Sequence, residues 1–146
     1  MTTQRKEALR IRLDEAKLKK TRHRTMVLDV LDQENTFLSA DDIYLKLKQE
    51  DASVSLSTVY RILETFVQTG LVSPIALDDT KPMLYEIAHA HHAHHLICRQ
   101  CHKVIHVEHC PLEHYETRLE KAHGFTIDEH RLNFYGVCEA CANTDQ

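Results

Sequence analysis

Apolar positions in the middle of the chain recur with a helical period. Val59, Ile62, Leu63, Phe66 and Val67 fall at i, i+3, i+4, i+7 and i+8, the buried stripe of an amphipathic helix. Ser57 is placed to cap this helix and Gly70 to end it. Upstream, Leu9, Leu13 and Leu18 among charges predict a leader helix over residues 4–18. Thr21 is a cap for a helix over residues 22–34, with Val27, Val30 and Leu31 on one face and Asn35 at its end. Ser39 caps a further helix, with Asp42 three residues on as a capping-box variant. That helix buries Ile43 and Leu47 and runs to about Glu50. Beyond Gly70 the pattern turns β-like: residues 71–77 and 83–87 read as a hairpin around the turn at residues 78–82.

Helices followed by a β-hairpin give the order of a winged helix. The reader would be the helix of residues 57–69, whose outward face carries Thr58, Tyr60, Arg61 and Thr65. The plainer alternative is a small helical subdomain with a hairpin and no DNA. After Ile87 the character changes. Residues 88–93 lack large apolar groups and read as a hinge. Strands are expected at 95–98 and 103–107, a helix from Pro111 to about His123 ended by Gly124, and a strand at 125–135. The fold class is therefore α+β, with a winged-helix domain at 1–87, a hinge at 88–95 and a small α/β domain at 96–146.

Charge separates the two halves further. The net charge is −4, yet residues 1–30 hold nine Lys/Arg against four Asp/Glu, and residues 89–146 hold five against eight. A basic front suits nucleic acid, although a solvated helix face gives the same excess. No stretch of about 18 apolar residues exists, which argues against a membrane helix. The N-terminus lacks the apolar core of a secretory signal, so a cytoplasmic protein is expected. In that compartment Cys-x-x-Cys pairs bind metal more often than they form disulfides.

Eleven of the twelve histidines and all five cysteines lie from His89 onward. Cys98, Cys101, Cys138 and Cys141 form two Cys-x-x-Cys pairs with 36 residues between them. Two such knuckles can close a tetrahedron of thiolates with no open position, a structural zinc site. The alternatives are thiol pairs that never meet, or a redox motif. The histidines divide by strand geometry. If residues 91–95 are extended, His92 and His94 share one face while His91, Ala93 and His95 share the other. Two sites are expected rather than one. Glu113 and His130 are the partners expected for His92 and His94, giving three imidazoles and one carboxylate.

Ser39–Tyr44 (Ser-Ala-Asp-Asp-Ile-Tyr), Ser57–Arg61 (Ser-Thr-Val-Tyr-Arg), the histidine run into Cys98-Arg-Gln-Cys101, and Tyr135-Gly-Val-Cys138-Glu-Ala-Cys141 together resemble the ferric-uptake-regulator superfamily of bacterial metal-responsive repressors, closest to the zinc-uptake type. The resemblance covers about residues 17–141. It implies an N-terminal winged helix, a hinge and a C-terminal dimerisation domain. It assigns the four cysteines to structural zinc, and His92, His94, Glu113 and His130 to a metal site in the dimerisation domain. The hinge site departs from the family pattern: Phe37 and Ala93 stand where the family places histidines, while Glu86 and His95 match. A rebuilt set of Glu86, His89, His91 and His95 is the remaining candidate there.

The expected function is a homodimeric, metal-dependent repressor that binds an inverted-repeat operator in double-stranded DNA. Zinc is favoured as the regulatory ion, with iron or manganese as alternatives and a peroxide sensor as a family variant. Ser57, Thr58, Tyr60 and Arg61 are expected in the DNA groove, with Lys20 and Arg24 on phosphate or the minor groove. Cys110 reads as a packed helix-start residue, with a spare metal ligand or a Cys-Pro haem contact as outside alternatives. His102, His106, His109, His114 and His123 have no assigned role. A zinc hydrolase is a remote rival: His106-Val-Glu108 with Cys138–Cys141 partly matches a deaminase signature, but Val137 stands where proline belongs. A zinc buffer would explain the ligands but not the reader helix and hairpin.

Overall fold

A computed structural model describes residues 3–34, 36–89 and 93–144 of the chain; the side chain of Arg5 is also left aside. The chain divides into two compact units, Met1–Ala88 and His89–Gln146.

The first unit is built on four helices: α1 (Thr3–Glu15), α2 (Arg22–Glu34), α3 (Ala40–Glu50) and α4 (Leu56–Gln68). The expected apolar stripes meet in one core. Val27 and Leu31 of α2, Ile43 and Leu47 of α3, and Val59, Leu63 and Phe66 of α4 are all buried in it. Leu13 of α1 joins the same cluster. The start of α3 is fixed by a reciprocal cap. Ser39 Oγ accepts the Asp42 N–H at 3.1 Å, and the Asp42 carboxylate accepts the Ser39 N–H at 3.2 Å. A cap of this kind is worth about 1 kcal/mol.

The cap of α4 corrects the sequence expectation. Ser55, not Ser57, takes that role, its Oγ accepting the Thr58 N–H at 3.2 Å. Two serines two residues apart offer the same chemistry, and the hydrogen bond selects the earlier. At the other end Gly70 takes φ +72, which a side chain would strain. The Leu71 N–H reaches back to the Phe66 carbonyl at 2.9 Å, and the Gly70 N–H to that of Val67 at 3.1 Å. This paired closure turns the chain sharply from α4 into the sheet.

That sheet has the order β1-β3-β2, from β1 (Leu38–Ser39), β2 (Val72–Ile75) and β3 (Leu84–Ile87). The hairpin pairs antiparallel, Val72 opposite Ile87 and Ile75 opposite Leu84. Pro74 lies on the edge strand β2, where a missing N–H is tolerated. The strand β1, too short for any alternation to show, was not expected. Phe37 is buried just before it. The unit is a winged helix.

The second unit is a small α/β domain. Its sheet runs β5-β4-β6, with β4 (His94–Cys98) central, β5 (Val104–Val107) antiparallel to it and β6 (Asn133–Gly136) parallel. The helix α5 (Glu113–His123) ends at Gly124 in the left-handed region, φ 66. It begins two residues after Pro111 rather than at it. The strand expected at 125–135 is confined to its last part. The Ile127 N–H instead bonds the Glu120 carboxylate at 2.7 Å, which keeps the chain beside α5, and Phe125 is exposed. A one-turn helix, α6 (Glu139–Ala142), follows β6. His94 and His95, assigned from sequence to the hinge, belong to β4.

Candidate metal centres and DNA-facing surface

Cys98 ends β4, Cys101 lies in the turn after it, Cys138 caps α6 and Cys141 lies within α6. The parallel pairing of β4 with β6 brings the two knuckles together, with Cys98 opposite Gly136. All four sulfurs lie within 4.8 Å of one another. Cys101 and Cys138 are 3.7 Å apart at sulfur. Four thiolates about 2.3 Å from a tetrahedral zinc stand about 3.8 Å apart, so the donor set fits that ion. The cysteines are free thiols.

Their electrostatics point the same way. Backbone N–H groups, that of Cys101 foremost and that of Cys138 next, hold the Cys98 thiol down to about 6. Cys141 is pushed up to about 12, chiefly by its contacts with Cys138 and Cys101. Sulfurs this close resist carrying several negative charges together. A bound cation removes that conflict.

A second convergence lies where β4 begins. His94, Cys110 and His130 bring their donor atoms together. The two Nε2 atoms are 3.1 Å apart, and Cys110 Sγ is 3.4 Å from each. The outer nitrogens determine the proton positions. His94 Nδ1 donates to the Leu132 carbonyl at 3.1 Å, since a carbonyl only accepts. His130 Nδ1 donates to the Glu116 carboxylate. With Nδ1 of each ring engaged in this way, both Nε2 atoms are turned toward each other and toward Cys110 Sγ. That arrangement suits a cation between them, and Nδ1 partners of this kind are the usual support of metal-bound histidines.

Of the four residues expected at this site, His94 and His130 meet. Glu113 is exposed at the start of α5 and lies outside the group; Glu116, one turn on, is the carboxylate that touches His130. His92 lies outside the described residues, as does His91 of the hinge set. Within the second unit, His95 bonds Asn133 through Nδ1 at 3.1 Å and packs against His106, ring centres 4.9 Å apart. His89 packs edge-on to the same His106, again at 4.9 Å. Glu86 is buried on β3 of the first unit.

The expected DNA contacts gather on the first unit. Ser57, Tyr60 and Arg61 are exposed on α4, and Thr58 is half-buried. Arg61 and Thr58 line an open groove of about 550 Å³ with Lys19 and Arg24. Among the described residues, no carboxylate lines that groove. Arg24 is directed by a bond from Nη1 to the Lys19 carbonyl at 2.9 Å. Lys20 pairs with Asp14 at 2.9 Å, both side chains exposed. His23 is held by Asp51 at 3.1 Å, so it serves the fold of this unit.

A sequence profile described as the ferric uptake regulator family matches residues 15–135. The chain belongs to that family. It is 37% identical over 114 residues to the ferric uptake regulation protein of Bacillus subtilis, covering 77% of this chain and 76% of the relative. It is 35% identical over 127 residues to that of Escherichia coli K12, covering 86% and 85%. Among solved structures, the ferric uptake regulator Fur of Helicobacter pylori, described as having three functional metal-binding sites, superposes with a TM-score of 0.78 at 28% identity. That likeness covers 97% of this chain and 95% of the other.

The regulator is a metal-responsive transcription factor and not an enzyme. The hydrolase motif finds no support in the geometry. Cys138 and Cys141 close on two further thiols, whereas a catalytic zinc keeps an open position. Among the described residues no helix is long and apolar enough to cross a membrane. Sequence reasoning left Cys110 a minor role and passed over Glu116 and His106. Glu116 was within reach of it, since it lies on the same helix face as Glu113 at i+3. His106 was also in reach, once β4 and β5 are paired with His95 opposite it.

Proposed function

We propose that the regulator is a homodimeric, zinc-responsive repressor of metal-homeostasis genes acting in the cytoplasm. The four-cysteine group holds a structural zinc that fastens the second unit. The regulatory ion sits at His94 and His130, with His92 a further ligand. The observation that carries this reading is the pair of Nε2 atoms 3.1 Å apart, each ring fixed through its other nitrogen. Two ring nitrogens converging in this way are a donor set that suits a divalent ion.

The dimer is supported by the outer face of the second sheet. Ile105, Leu96 and Phe134 lie directly opposite one another across β5, β4 and β6. All three are exposed, Leu96 by 46%. With Val137 they line an apolar hollow of about 210 Å³. A row of apolar side chains on a monomer marks an association surface. Two copies joined there present two reader helices, each with Ser57, Thr58, Tyr60 and Arg61 toward the groove and Lys20 and Arg24 toward phosphate. Two-fold symmetry in the protein calls for an inverted repeat in the DNA. Metal raises operator affinity only as far as the DNA-competent arrangement holds the ion more tightly.

The test begins with selection of operator sequences from a random duplex pool in the presence of zinc. Enriched sites are then titrated, by fluorescence anisotropy, with metal-stripped, zinc-loaded and anaerobically iron-loaded protein. Inverted repeats bound more tightly with zinc are expected. Affinity that ignores both metals overturns the proposal. The iron-responsive reading is favoured by one finding, the 37% identity to a ferric uptake regulation protein. It wins if ferrous iron alone raises affinity.

A further inference from the structure

We propose that Cys110 supplies a thiolate ligand to the regulatory ion, in the place that the family resemblance gives to Glu113. The site then takes a borderline-soft, four-coordinate divalent ion of the zinc type. It is a poor match for ions that prefer six oxygen-rich ligands. This inference rests on the metal-responsive reading of the same site and adds the ligand that sets its selectivity.

Three distances carry it. Cys110 Sγ stands 3.4 Å from His94 Nε2 and 3.4 Å from His130 Nε2, and the nitrogens are 3.1 Å apart. Sulfur and nitrogen ligands of a tetrahedral zinc, at about 2.3 and 2.0 Å from the ion, stand about 3.3–3.6 Å from one another. The triangle is close to one face of that tetrahedron. Among the described residues, its fourth corner is left for a further ligand.

Cys110 is also held in place. Pro111 follows it, and the Leu112 N–H at the start of α5 donates to its sulfur at 3.4 Å. A donated N–H steadies the negative charge of a ligating thiolate. An ordinary packed cysteine turns its sulfur to apolar groups. This one faces two ring nitrogens and an amide N–H. Cys110 itself is half-buried. On binding, the S–H bond breaks, its proton passes to solvent, and the sulfur lone pair goes to the ion.

The experiment uses the full chain. Zinc-loaded regulator is treated with chelator until metal analysis shows one zinc per chain, and cobalt(II) is then added without oxygen. In the wild type the added cobalt is expected to give intense tetrahedral visible bands and a near-ultraviolet thiolate-to-cobalt band. C110S is expected to lack the near-ultraviolet increment. In parallel, alkylation by iodoacetamide is mapped by mass spectrometry on wild-type protein with one and with two zinc ions per chain. Cys110 should be protected by the second zinc, and this arm stands even if C110S fails to fold. An equal near-ultraviolet increment in folded C110S, or a Cys110 alkylation rate unmoved by the second ion, overturns the inference. If that happens while operator binding still responds to metal, only the ligand assignment has failed. If operator binding ignores metal, the underlying reading has failed.

Discussion

His130 donates its Nδ1 proton to the carboxylate of Glu116, and this fixes which nitrogen it offers to His94 and Cys110. Neither the ring orientation nor the tautomer is left to chance. Removing such a supporting carboxylate lowers metal affinity by about 10–100-fold. E116A should show that loss at the second metal equivalent, measured by competition with a fluorescent chelator. The four-cysteine equivalent should be unmoved, because Glu116 makes no contact with it.

The four-thiol group joins the end of β4 to the start of α6, two segments far apart in sequence. The second unit has no large apolar core of its own: Ile97 and Cys98 are its buried apolar residues among those described. Chelation to zero zinc should therefore unfold this unit first. Limited proteolysis should then leave a resistant fragment close to Met1–Ala88. Uniform digestion of both units would count against a structural role for the ion.

Arg61 projects from the exposed face of α4 beside Arg24 and Lys19. R61A should weaken operator binding by about 1–3 kcal/mol if it reads a base edge, and relax selectivity at one position. K20A should weaken all duplexes alike and reduce the slope of affinity against salt by about one ion. Anisotropy titrations across a salt series separate the two.

Leu96 sits between Ile105 and Phe134 on the outer sheet face. L96E places a charge in the middle of that row. Sedimentation should show dimer affinity falling by about 2 kcal/mol or more, with the metal sites still filled.

Asp51 binds the Ser53 hydroxyl and backbone N–H and His23, and Arg22 stands nearby. These contacts, Ser53 first, lower its carboxyl from its ordinary 3.8 to about 2. A depressed carboxylate stabilises the fold above the ordinary value, and that contribution fades as pH falls toward 2. The melting temperature of D51N should lie below that of wild type at pH 7. The gap should close between about pH 4 and pH 2.

The helical half was legible because its signals are local. Stripes at Val59–Phe66 and Ile43–Leu47 and the Ser39–Asp42 cap each lie within one or two turns of chain. Ser57 was the misplaced cap, since Ser55 carries the same hydroxyl. The four cysteines were legible because two knuckles of fixed spacing have few other uses. The second half was harder. Cys110 meets His94 and His130 only through the pairing of β4 with β6 and the placement of α5, which no spacing in sequence records. His106, by contrast, meets His95 through the pairing of β4 with β5, a register that the sequence put in reach. Phe125 onward looked extended by its residues, yet bonds from the Phe125 and Ile127 N–H groups to Glu120 keep it beside α5.

Strand β4 carries His94, Leu96 and Cys98 at alternate positions, so on the proposed function one pleat of backbone would serve ion, subunit contact and thiol knuckle in turn. Occupancy and assembly then share a single mechanical element. By reciprocity, whatever ion binding contributes to pairing of the subunits, pairing returns to ion binding. The threshold metal concentration of such a regulator is set by its own abundance as well as by its ligands, and a cell could retune it by making more or less of the protein.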